Sequence, residues 1–463
     1  MSADSTFEAR TEVRASADEV FAFHERPGAF ERLTPPYEPV RVLRREGTIR
    51  DGDRAVLRLQ VGPFHRDWVA EHRDYEAGRQ FRDVQRSGPF AAGEHLHRVE
   101  PAGPDRSTMI DRVDYRLPLG ALGRLLGGAM VRGRLRRMFA YRHDVLRHDL
   151  RLHHLARGRS LKVAISGASG LVGSTLTALL ESGGHEVIPL VRGADRAGIR
   201  WDPSAGTIDR EALEGLDAVV HLAGENIAQR WTDEARRRIR ASREEGTGLV
   251  AEALAGLKRP PSVLVSASAV GIYGDRRGEP LDEAAELGTG FLADVCRAWE
   301  AAAAPAAEAG IRVVNARLGV VLSPRGGALA KMLPAFRFGL GGPVGRGEQP
   351  MSWIGLDDAV GALYFAVLDE RLEGPVNVTA PRPLPFRTFA STLGAVLGRP
   401  AFLPLPAFAV KLLFGRMGEE TLLAGAPVVP GQLEAAAYPF AHPGLEEALR
   451  HQLGRPEPSP SRP

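Results

Sequence analysis

The sequence has a single cysteine, Cys296, in 463 residues, which excludes an internal disulfide and fits a reducing compartment. Lysine is almost as scarce. Lys162, Lys258, Lys331 and Lys411 are the only four among 60 lysines and arginines, so a mechanism that needs a lysine has few candidates. The arginine bias itself reflects genome base composition more than function. No apolar run reaches the ~18 residues of a membrane span, and the start, MSADSTFEAR, lacks the apolar stretch of a secretion signal. A net charge of +3 is small for this length and gives no argument for nucleic acid. The expectation is a cytoplasmic protein with no membrane span and no nucleic-acid partner. With 44% hydrophobic and 25% charged residues the composition is that of a soluble globular protein. The length implies two or three domains, since single cores rarely grow past ~250–300 residues.

Residues 1–155 read as one unit. STFEARTEVRAS has the pattern of an edge strand, and ADEVFAFHERPGAFERLTP that of short helices. RAVLRLQVG, RDWVAEHRDY, GEHLHRVEP and STMIDRVDYRL then alternate with a period near two, which predicts antiparallel strands. A helical run over roughly 121–155 closes the unit, so a curved sheet gripping one long helix is expected, with room for an apolar cavity between them. That helix carries His143, His148, His153 and His154. Five residues turn a helix ~140° past its start, so His143 and His148 do not form a ligand pair on one face. A solvated basic face is expected, and no metal site is assigned.

Residues 156–160 read as a linker, and the pattern then switches. LKVAIS, HEVIPLVR, DAVVHLAG, SVLVSAS and IRVVNARLGVVL are strands separated by helical stretches, which predicts an α/β domain with a doubly wound parallel sheet of Rossmann type over 161–395. Residues 396–452 form a C-terminal extension, and 453–463 are expected to be a disordered tail.

Between the first strand and first helix of this second domain lies SGASGLVG, residues 166–173. Gly167 permits a tight turn, Gly170 the close approach of a pyrophosphate, and Gly173 close packing of helix on strand. The amides around Ser169, Leu171 and Val172 then face anionic phosphates at the helix N-terminus. The end of the second strand separates NAD from NADP, because a carboxylate there binds the ribose hydroxyls and an arginine accepts the 2′-phosphate. Here LVRGADR places Arg192 at that end with Arg196 nearby, while Asp195 falls in the loop, and NADP is the expected cofactor.

Several motifs in residues 161–450 together resemble the extended short-chain dehydrogenase/reductase family. HLAG (221–224) resembles its segment beneath the cofactor, which brings in Leu222, Ala223 and Gly224. SASAVGIYG (266–274) resembles the strand of the catalytic serine, matched by Ser268. RLGVVLSP (317–324), with Leu318, resembles the arginine-to-proline segment, and GRGEQPMSWIGLDDAV ends in the paired aspartates Asp357 and Asp358. HLAGENI, RWT, Ser242–Arg243, GLGGPVG and SWI narrow the resemblance to an atypical subgroup described as epimerase family proteins, some of them labelled cell-division inhibitors. In that subgroup fusion to a START-like, polyketide-cyclase-type domain recurs. The order of elements in residues 1–155 resembles that ligand-binding family, which implies an apolar small molecule as its partner.

The resemblance also marks what is missing. The reductase family uses a tyrosine and a lysine four apart on one helix face, the first as general acid/base and the second lowering its pKa. Those positions fall on Leu292 or Phe291 and on Cys296 or Val295, when the helix is aligned through Glu300. The family's asparagine corresponds to Arg243, ahead of Gly246–Thr247, and only Ser268 of the tetrad remains. Three readings follow: another group such as Tyr273 supplies the proton, Arg243 contacts an NADP phosphate, or the domain binds NADP without turnover. Cys296 itself adjoins an apolar stripe of Phe291, Val295 and Trp299, so packing is expected rather than nucleophilic chemistry. LPLPAFAVKLLFGRMG is too poor in basic residues for a membrane-surface helix and is expected to dock against the substrate domain. The functional expectation is an NADP-dependent oxidoreductase or epimerase of an unidentified small molecule, the alternative a catalytically silent, NADP-binding regulatory protein linked to cell division.

Overall fold

The computed structural model describes residues 5–61, 64–193 and 196–456. The chain divides into two compact units, Met1–Gly158 with Glu181–Gly184, and Arg159–Leu180 with His185–Pro463.

The first unit runs β1 (Ser5–Val13), α1 (Ala17–Glu25), α2 (Ala29–Leu33), β2 (Val40–Glu46), β3 (Arg54–Val61), β4 (Phe64–Glu76), β5 (Gln80–Ser87), β6 (Ala92–Gly103), β7 (Arg106–Arg116) and α3 (Gly120–Leu155). The strands form one antiparallel sheet in the order β1-β7-β6-β5-β4-β3-β2, with β1 at an edge as its sequence indicates. Alternation fixes the faces: in β6, Gly93, His95, His97 and Val99 are buried while their neighbours are more exposed. Ser16 caps α1 in a capping box with Glu19, each side chain meeting the other's backbone amide. Arg32 of α2 makes a two-point ion pair with Asp149 of α3, at 2.7 Å for both contacts, and both side chains are buried.

Two expectations for this unit change. His143 and His148 do not lie on a solvated face; both are buried. His143 Nε2 is 2.7 Å from Asp111 Oδ2 of β7, so a carboxylate on another element compensates the buried ring. The space between sheet and helix is also only partly apolar. Phe21, Phe23, Phe81, Met109, Val145 and Leu146 pack there, beside a band of His72, Asp83, His95, His97 and Asp111.

The second unit runs β8 (Lys162–Ser166), α4 (Leu171–Ser182), β9 (Glu186–Val191), β10 (Ile199–Asp202), β11 (Thr207–Ile208), β12 (Ala218–His221), α5 (Asp233–Ala255), β13 (Val263–Ala269), α6 (Phe291–Ala301), α7 (Ala304–Glu308), β14 (Arg312–Leu318) and, later, the strand Gly374–Val378. The sheet order is β11-β10-β9-β8-β12-β13-β14 followed by Gly374–Val378, parallel from β10 onward. This is the Rossmann arrangement. The strand order reverses at β8, and the crevice beyond the C-terminal ends of β8 and β12 is the switch point where ligands bind.

The C-terminal extension also departs from expectation. Helix Ala407–Thr421 breaks at Gly415, with φ 58° and ψ −142°. Val410 and Phe414 pack into the core around Trp353, Leu393 and Leu449, but Phe408 and Leu412 are 73% and 79% exposed, so the helix docks along only part of its apolar surface. Helix Leu445–Leu453 is regular and ends on Gly454 in the left-handed conformation, so order extends past 453. Residues 457–463 of the expected tail lie outside the described residues. Among the described residues no helix is long and apolar enough to cross a membrane.

Candidate functional site: a nucleotide cradle and an altered catalytic helix

The turn from β8 into α4 is built as the glycine spacing indicates. Gly167 has φ +71°, and a Cβ there would sit 3.0 Å from the backbone of Leu222 and Ala223. A Cβ on Gly173 would lie 2.2 Å from the Gly167 carbonyl oxygen, so helix and turn touch backbone to backbone. Gly170, Ser169, Leu171 and Val172 lie at the exposed or half-exposed rim where α4 begins. Ser166 ties the two sides of the crevice together. Its Oγ accepts the amides of Leu222 and Ala223 at 3.0 and 3.2 Å and lies 2.8 Å from His221 Nδ1. Burial pushes His221 down to about 4, so it is a neutral structural ring. These residues fit a dinucleotide: the cradle is empty of side chains where a pyrophosphate approaches, and helix amides point at it.

Arg192 is exposed directly after β9. Parallel pairing of β9 with β10 places Arg200 opposite Val191, and the Arg200 guanidinium donates to the Gly193 carbonyl. Arg192 and Arg200 line a surface cleft of about 430 Å³ with Trp201, Asp202, Thr207 and Asp209. Arg200 is not recognisable from the sequence, because its position depends on the pairing of β10. Asp195 lies outside the described residues, and Arg196 is exposed.

Across the crevice, Arg243 of α5 stacks over Trp299 with its guanidinium carbon 4.8 Å from the ring centre. It donates to the carbonyls of Glu225 and Ile239 at 3.0 and 3.1 Å and lies against Gly224. Ser242 Oγ accepts the Glu225 amide at 3.0 Å. The serine–arginine pair therefore clamps the loop after β12, and Arg243 borders the cofactor crevice through that loop. Leu318, half-exposed, ends β14 on the same side of the sheet.

The surroundings of Ser268 differ from a tyrosine–lysine arrangement. Ser268 Oγ donates to Glu300 Oε1 at 2.7 Å, and Glu300 is held by Arg317 at 2.8 and 2.9 Å. Tyr273 is fully buried. Its hydroxyl donates to Asn377 Oδ1 at 2.8 Å, with the Asp282 carbonyl at 3.1 Å, and accepts from Arg317 Nη1 at 2.8 Å. Burial raises its pKa, and Arg317 and Asn377 only partly offset this. The geometry makes Tyr273 a fully buried bracing residue, with its proton directed at Asn377 and Asp282. Leu292 and Phe291 contribute to an apolar cluster with Trp231, Ile239 and Val295.

Cys296 is buried beside Ile272 and Tyr273, and burial pushes its thiol up to about 11. It packs, as its helix position indicates. Native protein at pH 8 should react with a disulfide reagent at least ~100-fold more slowly than a free cysteine, because only the thiolate attacks. Full reactivity should appear on unfolding; fast labelling of native protein contradicts this picture.

Asp357 and Asp358 hold the C-terminal extension. The Asp358 carboxylate accepts the amides of Ala441 and His442 at 2.6 and 2.9 Å, and Asp357 Oδ2 accepts from Gln452 at 2.7 Å.

Residues 163–378 match the family described as NAD dependent epimerase/dehydratase, residues 13–139 that described as polyketide cyclase / dehydrase and lipid transport, and residues 405–452 a domain of unknown function. An epimerase family protein of Mycobacterium bovis is 45% identical over 297 residues, covering 64% of this chain and 98% of its own. The human epimerase family protein SDR39U1 is 38% identical, covering 63% of this chain and 99% of its own. Among solved structures, a nucleoside-diphosphate sugar epimerase of Corynebacterium glutamicum covers 97% of this chain and 90% of its own, with 34% identity and a TM-score of 0.79. A structure of human SDR39U1 with NADPH covers 63% of this chain and 99% of its own, with 36% identity and a TM-score of 0.59.

Proposed function

This chain belongs to the NAD dependent epimerase/dehydratase family and carries an N-terminal domain of polyketide cyclase/dehydrase type, and on that premise we propose that it binds NADP(H) and acts as an oxidoreductase or epimerase on a small molecule. The observation that carries this reading is the turn built on Gly167, Gly170 and Gly173, with Arg192 after β9 and Arg200 of β10 beside it. The cradle amides would hold the pyrophosphate, and the two arginines the 2′-phosphate that distinguishes NADP from NAD. NADPH in the structure of the human relative supports the same choice. The nicotinamide, when bound, supplies the hydride. Ser268, oriented by Glu300, is what remains of the family's tetrad at the reacting end.

Nucleotide titration tests the cofactor. NADPH should bind at least ~10-fold more tightly than NADH, a difference of about 1.4 kcal/mol. The double variant Arg192→Ala/Arg200→Ala should bring the two nucleotides toward parity. Equal affinity in the unaltered protein defeats the phosphate assignment.

A second reading, NADP(H) binding without turnover in a regulatory role, is favoured by one observation: Leu292 and Cys296 stand at the acid/base pair's positions, and Tyr273 is locked in place. Deuteride transfer from labelled NADPH to a panel of carbonyl compounds separates the two. Transfer establishes the enzyme. Tight binding with none, together with a cellular phenotype lost in Gly170→Asp and kept in Ser268→Ala, establishes the regulator. An apolar ligand for the N-terminal domain is a further part of this proposal, checked by extracting freshly purified protein for bound lipid-like molecules.

A further inference from the structure

The inner face of the N-terminal sheet carries a set of histidines and aspartates, packed against Phe81 and Phe139 of the core, that the nucleotide site does not use. His95 and His97 are two apart on β6, so both rings point inward. Register places Asp83 of β5 opposite His95, and Asp111 of β7 opposite His97. His72 of β4 sits opposite Asp83 on its other side. Neighbouring strands thus deliver these groups to one spot. Asp83, His95 and His97 each offer one ligand atom, and the three atoms lie within 4.8 Å of one another.

The hydrogen-bond pattern around these atoms is directional. His95 Nε2 lies 2.8 Å and His97 Nδ1 3.0 Å from the same oxygen, Asp111 Oδ1, while His143 Nε2 holds the other oxygen at 2.7 Å. His95 Nε2 makes a hydrogen bond to Asp111, so with its proton there His95 Nδ1 carries a lone pair, whereas His97 Nδ1 is close to Asp111 but not aligned for a hydrogen bond and has no other partner among the described residues. His95 Nδ1 and His97 Nε2 face Asp83 Oδ2 at 3.8 and 3.2 Å. His97 Nε2 is within hydrogen-bond reach of Asp83, so two imidazole nitrogens and a carboxylate oxygen converge in a small space where a cation could take all three as donors. The separations suit one, since donors about 2.0–2.2 Å from a tetrahedral ion are about 3.4 Å apart. A carboxylate behind each ligating histidine is also the usual outer support of a metal site, fixing tautomer and ring orientation.

A further mismatch lies in the same place. His72 Nδ1 and Asp83 Oδ1 are 2.7 Å apart but are not aligned for a hydrogen bond, and among the described side chains neither atom has another partner. Two buried carboxylates, Asp83 and Asp111, also call for two positive charges nearby, which one divalent ion supplies. Asp83, at 16% side-chain exposure, is the least buried of the three.

We propose that Asp83, His95 and His97 form a site for a divalent transition-metal ion inside the N-terminal domain, with Asp111 behind both histidines and His143 holding Asp111. Two imidazoles and one carboxylate leave coordination positions open, so the ion would have room for a water or a ligand's oxygen. The proposal is independent of the nucleotide assignment, which lies in the other unit.

The test uses the full chain with any affinity tag removed, stripped with a chelator and then titrated with Zn2+ against a chromophoric competitor. One equivalent should bind with sub-micromolar affinity. Asp83→Asn and His95→Gln should each weaken it at least ~100-fold, and Asp111→Asn by ~10–100-fold. His154→Gln, on the exposed end of α3, should leave it unchanged. Near-UV circular dichroism reports whether each variant is folded. Should the variants fail to fold, Co2+ in the unaltered protein still decides: nitrogen and oxygen ligation gives visible bands without a thiolate charge-transfer band. Failure of the unaltered protein to take up an equivalent overturns the proposal, and leaves a protonated His97 between the two aspartates as the arrangement present. An equivalent that survives His95→Gln at full affinity overturns it as well, because the ion is then held elsewhere.

Discussion

Gly173→Ala is expected to weaken NADPH binding by at least ~100-fold, about 2.8 kcal/mol, in a fluorescence or calorimetric titration. The added methyl carbon would sit 2.2 Å from the Gly167 carbonyl oxygen and 2.8 Å from its carbon. Both contacts are backbone, so no side chain can swing away, and either the turn or the start of α4 must move. Movement of either changes the positions of the amides that face the pyrophosphate. Gly170→Ala is the milder neighbour, since its Cβ would meet only the Gly167 oxygen at 3.2 Å. Gly248→Ala, on α5 with nothing within 4 Å of the added carbon, is the control and should bind normally. Equal binding by Gly173→Ala and the control removes the cradle from the account of the cofactor site.

The second large effect is on stability. Asp149→Ala should destabilise the N-terminal unit by about 3–5 kcal/mol, because it removes the carboxylate that makes two contacts with the buried Arg32 guanidinium. Exchanging both partners for apolar residues, Arg32→Met with Asp149→Leu, should recover most of that loss, since no charge then remains to be desolvated. Hydrogen exchange of the amides in β1, β7 and α3 reads this unit separately from the second one. A double variant as unstable as Asp149→Ala would mean that the shape of the ion pair, rather than its charge, is what α2 and α3 require.

What could be read from the sequence was what is local. Strand, glycine turn, helix and second strand occur in order over Lys162–Val191, so this turn and the place of Arg192 just after β9 were legible without any tertiary information. The packing role of Cys296 followed equally from the apolar stripe of its own helix. The rest depended on pairings between distant segments. Arg200 reaches the cleft beside Arg192 only through the register of β10 on β9. Tyr273 is closed off by Asn377, Asp282 and Arg317, three groups from three separate stretches. The helix that carries His143 gave no sign of Asp111, so its histidines read as solvated. The histidine pair of β6 did carry a local signal. His95 and His97 are spaced by two in an alternating segment, and alternation alone places both imidazoles on one face of a strand.

The clamp at Asp357 and Asp358 bears on how the chain is made. Amides of residues 441 and 442 satisfy a buried carboxylate on helix Leu356–Leu368, and Leu445, Leu449 and Leu453 complete the core around Trp353 and Leu393. Burial raises the Asp358 carboxyl, so without those two amides an unpaired group is left in the interior. On the ribosome, β8 emerges long before residues 441–453, and the second unit must wait for them to close. A nascent chain halted before that point would expose apolar surface around Trp353 and a buried acid with no partner. Such a chain is a ready substrate for chaperones and proteases, so the second unit is protected only once residues 441–453 have been made and have closed it.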